Sequence, residues 1–375
     1  MKEKNERRSF FKHLFSLSAF IAGAGLSFNK LDRFKIGKPG GKKAYAMGSK
    51  AGSKVKKIAV EEHYCTEEYA KYSRAKMRPM MQDMAQQGMM PPVTQDAGDG
   101  EFPLTEKQIK EVEYGEGRIK EMDECGIDMQ VLSLAAPELD IFDTPSEAIA
   151  MARSVNDELS KVVKRYPQRF AGYCCIPLQD PEAAADELER AVTKLGLRGV
   201  SVQGDMEGRS FADKKYEVIF ERLAKLNVPI YLHSRGPSLW NPDLNGVLDA
   251  IRIINSDLLD KYPGLKIMLG HGGESMPFWL WRLDGRWKES DNYTKRPKMF
   301  SQYFKDNFYV TISSQCWPTL LQFLIAALGA ERILFATDYP YESTRDHVDF
   351  IDSAPISDSD REKICHLNAE RLFKL

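Results

Sequence analysis

Residues 57–65 read KIAVEEHYC. A short strand-forming run ends in two acids and an imidazole, groups that are costly to bury unless a cation waits for them. Side chains two apart on a strand face the same way, so Glu61 and His63 are expected to point into the core of a sheet while Glu62 points out. Seven further short strand-forming runs follow: MQVLSL (129–134), FAGYCCI (170–176), RGVSVQG (198–204), PIYLH (229–233), KIMLGH (266–271), FYVTIS (308–313) and RILFATD (332–338). Between these runs lie amphipathic stretches such as EKQIKEVEYGEGRIKEMDECG, PEAAADELERAVTKLG and PTLLQFLIAALGAE, with Gly at the points where a helix would stop. Eight strand–helix alternations predict an α/β fold of the (β/α)8 TIM-barrel type. The alternative, an open doubly wound sheet, would carry a Gly-rich dinucleotide fingerprint that does not occur here.

Barrel enzymes gather their reactive groups at the C-terminal ends of the strands. Of the six histidines, His63, His233 and His271 stand at the ends of the first, fifth and sixth predicted strands, and Asp338 closes the eighth. His13 precedes the first strand, and His347 and His366 follow the last. Carboxylates and imidazoles converging on one rim are satisfied together by a metal, and two of each suit Zn, Mn or Fe. The expected ligands are Glu61, His63, His233 and Asp338, around one divalent ion, Zn or Mn, with no organic cofactor. His271 is then a nearby acid/base or polarising group.

The first 46 residues read as an address. RRSFFK (7–12) pairs two arginines with an aromatic run, HLFSLSAFIAGAGLSF is too short to span a bilayer securely, and Ala44-Tyr45-Ala46 has the form that signal peptidases cut. The expectation is a twin-arginine signal over 1–46, cleavage after Ala46, passage through the twin-arginine machinery, and a periplasmic location or one on the outer face of the membrane. An uncleaved anchoring helix is the alternative. Residues 47–375 would form the single catalytic domain, with 42 Lys+Arg against 51 Asp+Glu, a balance that argues against a nucleic-acid partner. Six cysteines without a C-x-x-C pair read as small core residues rather than a disulfide framework. Residues 71–103, rich in Met, Gln, Pro and Gly, are expected to form a long loop over the C-terminal face.

Taken in order, AVEEH, SLAAP (133–137), IPLQDP (176–181), YLHSR (231–235), LGHGGESMPFWLWRLD (269–284), ILFATDYPYE (333–342) and the terminal NAERLFKL resemble the metal-dependent amidohydrolase superfamily. The likeness is to the branch that holds the γ-resorcylate, 2,3-dihydroxybenzoate, 5-carboxyvanillate and aminocarboxymuconate-semialdehyde decarboxylases. It runs from about Lys56 to the C-terminus. The resemblance implies that Glu61, His63, His233 and Asp338 hold the metal and that Asp338, His271 and Glu274 are catalytic. It also implies that Arg282, with Arg235, binds the substrate carboxylate, and that the protein is a homo-oligomer. Three features depart from the branch: a shorter segment after the YLH strand, the Met-rich stretch and the leader.

The implied reaction is non-oxidative decarboxylation of a hydroxylated aromatic or related unsaturated carboxylic acid. Hydrolysis of a lactone, amide or ester is the alternative for the same groups, with the metal activating water. A non-enzymatic binding protein on the same barrel is the third reading.

Overall fold

Each apolar run becomes a strand in the computed structural model, which describes residues 55–86, 105–203, 210–233 and 245–375. The strands are β1 Ile58–Tyr64, β2 Met129–Leu134, β3 Phe170–Cys174, β4 Gly199–Gln203, β5 Ile230–His233, β6 Ile267–Leu269, β7 Phe308–Thr311 and β8 Ile333–Leu334. All seven neighbouring pairs are parallel and follow chain order. The ring closes between β8 and β1 through Val60 N–H to Phe335 O (3.1 Å), Asp338 N–H to Glu61 O (3.0 Å) and His63 N–H to Tyr339 O (2.7 Å). This is the (β/α)8 barrel that the alternation predicts.

The inner layer consists of side chains from alternate positions, among them Ile58, Val60, Val131, Tyr173, Tyr231, Met268 and Leu334. Leu372 and Phe373 of the C-terminal helix Asn368–Phe373 join this layer, with Phe373 edge-on to Tyr173 at 5.5 Å. Apolar side chains thus fill the barrel's interior, and the buried polar groups are left to the opposite, C-terminal end of the strands. The intervening helices bury their apolar stripes in an outer layer around the sheet. Gly126 and Gly196, at φ 85° and 81°, end the helical segments before β2 and β4 in the left-handed conformation that suits glycine.

Three expectations need correction. Residues 71–86 are not loop: they continue the helix Glu67–Gln86. The Met, Lys, Arg, Ala and Gln that give this stretch its odd composition are good helix formers, and Tyr69, Ala70 and Ser73 bury one side of it. The remainder, 87–103, lies outside the described residues, as do the leader and its cleavage site. β6 stops at Leu269 instead of reaching His271, because His271 to Ser275 all take positive φ, from 48° to 77°. β8 is two residues long, and Asp338, at φ 58°, lies beyond it. Cys65, Cys174, Cys175 and Cys365 are buried as expected; Cys125 is half-buried and Cys316 exposed.

Candidate metal centre

The first strand carries the device that aims the site. Ile58 and Val60 face the barrel interior, so strict alternation would turn Glu61 away from it. The register against β2 shifts between Ala59 and Glu62, and this irregularity turns Glu61 and His63 inward. Glu61, His63 and His233 then offer ligand atoms that all lie within 4.8 Å of one another. Asp338 joins from beyond β8, its Oδ1 3.0 Å from His63 Nε2.

Neighbouring hydroxyls fix which atoms are presented. Thr311 Oγ1 donates to Glu61 Oε2 at 2.6 Å, and Ser313 Oγ donates to the same oxygen. Glu61 Oε1 is buried and has no hydrogen-bond partner among the described residues. Ser133 Oγ lies 3.3 Å from His63 Nδ1, which leaves Nε2 toward Asp338. Ser314 Oγ donates to Asp338 Oδ2 at 3.2 Å, and Ser314 N–H donates to His347 Nε2 at 2.9 Å. His233 Nδ1 is likewise buried without a partner. An acid with one oxygen tied back and one bare, beside a bare imidazole nitrogen, is the donor set a divalent cation requires.

The charges agree with that reading. Burial opposes ionisation of Glu61, but His271, His233 and Ser313 outweigh it and hold the carboxyl below its usual range. Burial likewise opposes the charge on Asp338, and the His63 hydrogen bond and charge, with His271 and His233, outweigh it and keep that carboxyl low. Burial and the charge of His63 push His233 down to about 4, so it presents a neutral imidazole. Burial works against a charge on His271, yet Glu61, Glu274 and Asp338 raise it to about 9. Its Nε2 is 3.5 Å from Glu61 Oε1 and 3.8 Å from Glu274 Oε1, while Ser313 holds the backbone N–H and Nδ1 side of the residue.

Behind the donors sits a second buried layer. Glu62, turned away from the site as expected, accepts from Thr337 N–H and Thr337 Oγ1, both at 2.7 Å, and from Gln130 Nε2 at 3.2 Å. Arg118 Nε donates to Gln130 Oε1 at 2.6 Å and Nη1 donates to the His63 carbonyl at 2.7 Å; its guanidinium stacks 4.3 Å over Tyr339. The backbone of His63 is thereby held by a buried cation. Arg118, Thr311, Ser133, Ser313 and Tyr231 were not singled out by the sequence reading. The signal for Thr311 and Ser313 was present, as hydroxyls at alternate positions in the otherwise apolar FYVTIS.

The structure therefore brings together Glu61, His63, His233, His271, Glu274 and Asp338. Arg235 lies outside the described residues. Arg282 is exposed on the helix Met276–Lys288, and among the described residues no hydrogen bond or ion pair joins it to this group.

A parallel barrel with acids and imidazoles at its C-terminal rim defines a class, the metal-dependent barrel enzymes. Within that class the chain belongs to the amidohydrolase family, whose profile matches residues 107–375. The chain is 36% identical over 344 residues to a gamma-resorcylate decarboxylase from Polaromonas sp. JS666, a match covering 85% of this chain and 98% of the relative. A crystal structure of dihydroxybenzoic acid decarboxylase from the same Polaromonas strain, with bound manganese and the inhibitor 2-nitroresorcinol, superposes with a TM-score of 0.72 at 34% identity, covering 86% of this chain and 97% of that one. The 5-carboxyvanillate decarboxylase of Novosphingobium aromaticivorans, complexed with manganese and 4-hydroxy-3-methoxy-5-nitrobenzoic acid, gives a TM-score of 0.74 at 29% identity, covering 86% and 96%.

Proposed function

We propose that this protein is a metal-dependent, non-oxidative decarboxylase of a hydroxylated aromatic carboxylic acid. The observation that carries the reading is the donor set of buried Glu61 and His63 with half-buried His233 and Asp338, in a chain that matches decarboxylases over nearly their whole length. Those four residues would hold one divalent ion, manganese by analogy with the solved relatives, which neutralises and orients the substrate's carboxylate and adjacent oxygen. No organic cofactor is needed, because the ring itself accepts the electrons of the breaking bond.

The chain's own groups then manage one proton. His271, kept cationic by the acids around it, stands beside Glu61 and supplies the charge that keeps a proton available at the site. Asp338, a carboxylate in the resting site, would take that proton from cationic His271 and pass it to the ring carbon that bears the carboxylate, leaving His271 neutral. The carbon–carbon bond breaks, its electron pair restores the aromatic ring, and carbon dioxide leaves. Glu61 and His63 are buried and His233 half-buried, which limits the access of water to the reacting face.

Two further parts of the reading rest on sequence and surface. The twin-arginine pattern at 7–12 supports export, and Phe278, Trp281 and Trp317, respectively 77%, 88% and 61% exposed, support self-association.

The test is carbon dioxide release from 2,6-dihydroxybenzoate and related hydroxybenzoates by metal-stripped protein, before and after manganese is restored, with Asp338→Asn as control. Release that depends on both metal and Asp338 is the expected result. Stoichiometric metal without release from any hydroxylated aromatic acid would overturn the assignment.

A further inference from the structure

The mouth of the barrel contains buried polar atoms without hydrogen-bond partners among the described residues. Glu61 Oε1 and His233 Nδ1 are accounted for by a cation. Gln203 is not: both its Oε1 and its Nε2 are bare, in a residue only 5% exposed. An amide nitrogen cannot ligate a cation, so a metal leaves half of this group unsatisfied. A buried amide left bare in this way points to a missing ligand.

Its position is set by the sheet. Gln203 is the last residue of β4 and lies in register with His233, as Ser201 does with Tyr231. Val200 and Val202 belong to the outer layer, so Ser201 and Gln203 share the inward face with Tyr231 and His233. Glu138 reaches the same spot from the turn after β2. It is 5% exposed, its Oε1 accepts from Ser201 Oγ at 2.8 Å, and its carbonyl accepts from Tyr69 Oη at 2.6 Å. Gln203 lies close enough to favour the charge on Glu138, without the geometry of a hydrogen bond to it. Glu138 also holds φ at 52°, a left-handed conformation that residues other than glycine adopt at a cost, and such strain collects at functional sites.

We propose that Gln203, backed by Glu138, determines specificity by hydrogen-bonding a ring hydroxyl of the substrate on the side of the metal centre formed by β2 and β4. An amide offers one acceptor and two donors, and a hydroxyl answers both. A second carboxylate at that position would face the acid of Glu138 and is rejected; a bare C–H leaves the amide unpaired and is disfavoured. The inference rests on the aromatic-acid reading of the site and adds which substituent the site reads and which residue reads it.

The experiment is a calorimetric titration of the manganese-loaded full chain with 2-nitroresorcinol and with 2-nitrophenol, which differ by one ring hydroxyl. Wild type is expected to bind 2-nitroresorcinol about tenfold more tightly. Gln203→Met, nearly isosteric, weakens 2-nitroresorcinol and removes the unpaired-amide penalty on 2-nitrophenol, bringing the two affinities within about twofold. Gln203→Glu preserves volume and removes the donors, and lowers the ratio in the same direction; it serves where the Met variant fails to fold. Retention of the wild-type ratio by the folded variants, or equal weakening of both ligands, overturns the role of Gln203. Failure of both ligands to bind wild type overturns the aromatic-acid reading itself.

Discussion

Gly270, between β6 and His271, is a tight point against the metal-side residues. Its φ lies outside the left-handed region, so alanine is conformationally admissible there. The obstacle is space: a Cβ would stand 2.8 Å from Tyr231 Oη, 3.1 Å from Glu61 Oε1 and 3.5 Å from Glu61 Oε2. Relief to an ordinary carbon contact requires movements of roughly half an ångström. Tyr231 is fully buried, with Tyr173 at 5.9 Å and His233 at 5.5 Å, so its ring is driven toward a metal-side imidazole. Glu61 has little retreat, because Thr311 and Ser313 hold its other oxygen. Gly270→Ala is therefore expected to lower stability by about 1–3 kcal/mol, as overpacked cores do. It should also weaken manganese binding by about 10- to 100-fold, the usual consequence of displacing a ligand's support. Manganese titration of metal-stripped protein, followed by thermal unfolding of the same samples, measures both. Adding Tyr231→Phe removes the closest atom and should recover much of the lost affinity. Wild-type manganese affinity in Gly270→Ala, or no recovery in the double variant, would refute the crowding argument.

Two other outcomes are expected. Arg118→Met removes two hydrogen bonds from a buried cation, to the His63 carbonyl and to Gln130; at about 1.5–3 kcal/mol each the loss is about 3–6 kcal/mol, seen as a melting temperature lower by roughly 6 °C or more. A shift of under about 2 °C would show that the cation contributes no net stability. Glu138→Gln tests the buried acid, which faces Ser201, Gln203, Asp140 and the charge of His63, and which burial raises from 4.5 to about 7. An acid whose folded pKa is raised contributes stability that is complete below about pH 4.5 and lost as pH climbs through about 7. The glutamine has none to lose, so in urea unfolding its stability relative to wild type should climb by about 3 kcal/mol across that window and stay level above it. A difference independent of pH contradicts the assignment.

The strands were legible because buried parallel strands leave short apolar runs with turn residues between them, and MQVLSL matches β2 residue for residue. The donors were legible because few residue types hold a metal, and six histidines leave little choice. What could not be read is conformational. No local pattern announces the positive φ values from His271 to Ser275, which end β6 early and let Ser313 hold His271. The helix of 67–86 was hidden by its own composition, since Met and Gln suit loops and helices alike. Gln203 and Arg118 were invisible for a different reason: glutamine and arginine are ordinary surface residues, and only burial makes them informative.

The ring closes where the donors meet. Asp338 donates its N–H to the Glu61 carbonyl, and its carboxylate lies against His63, 275 residues earlier in the chain. During synthesis at about 5–20 residues per second, on the order of 14 to 55 s separate the emergence of the first donors from that of the last. Throughout that interval β1 has no eighth strand to pair with and its acid has no completed cage. Ion capture is thus a late event in the life of each new polypeptide, and whichever cation the compartment offers at that moment has the first claim on the site.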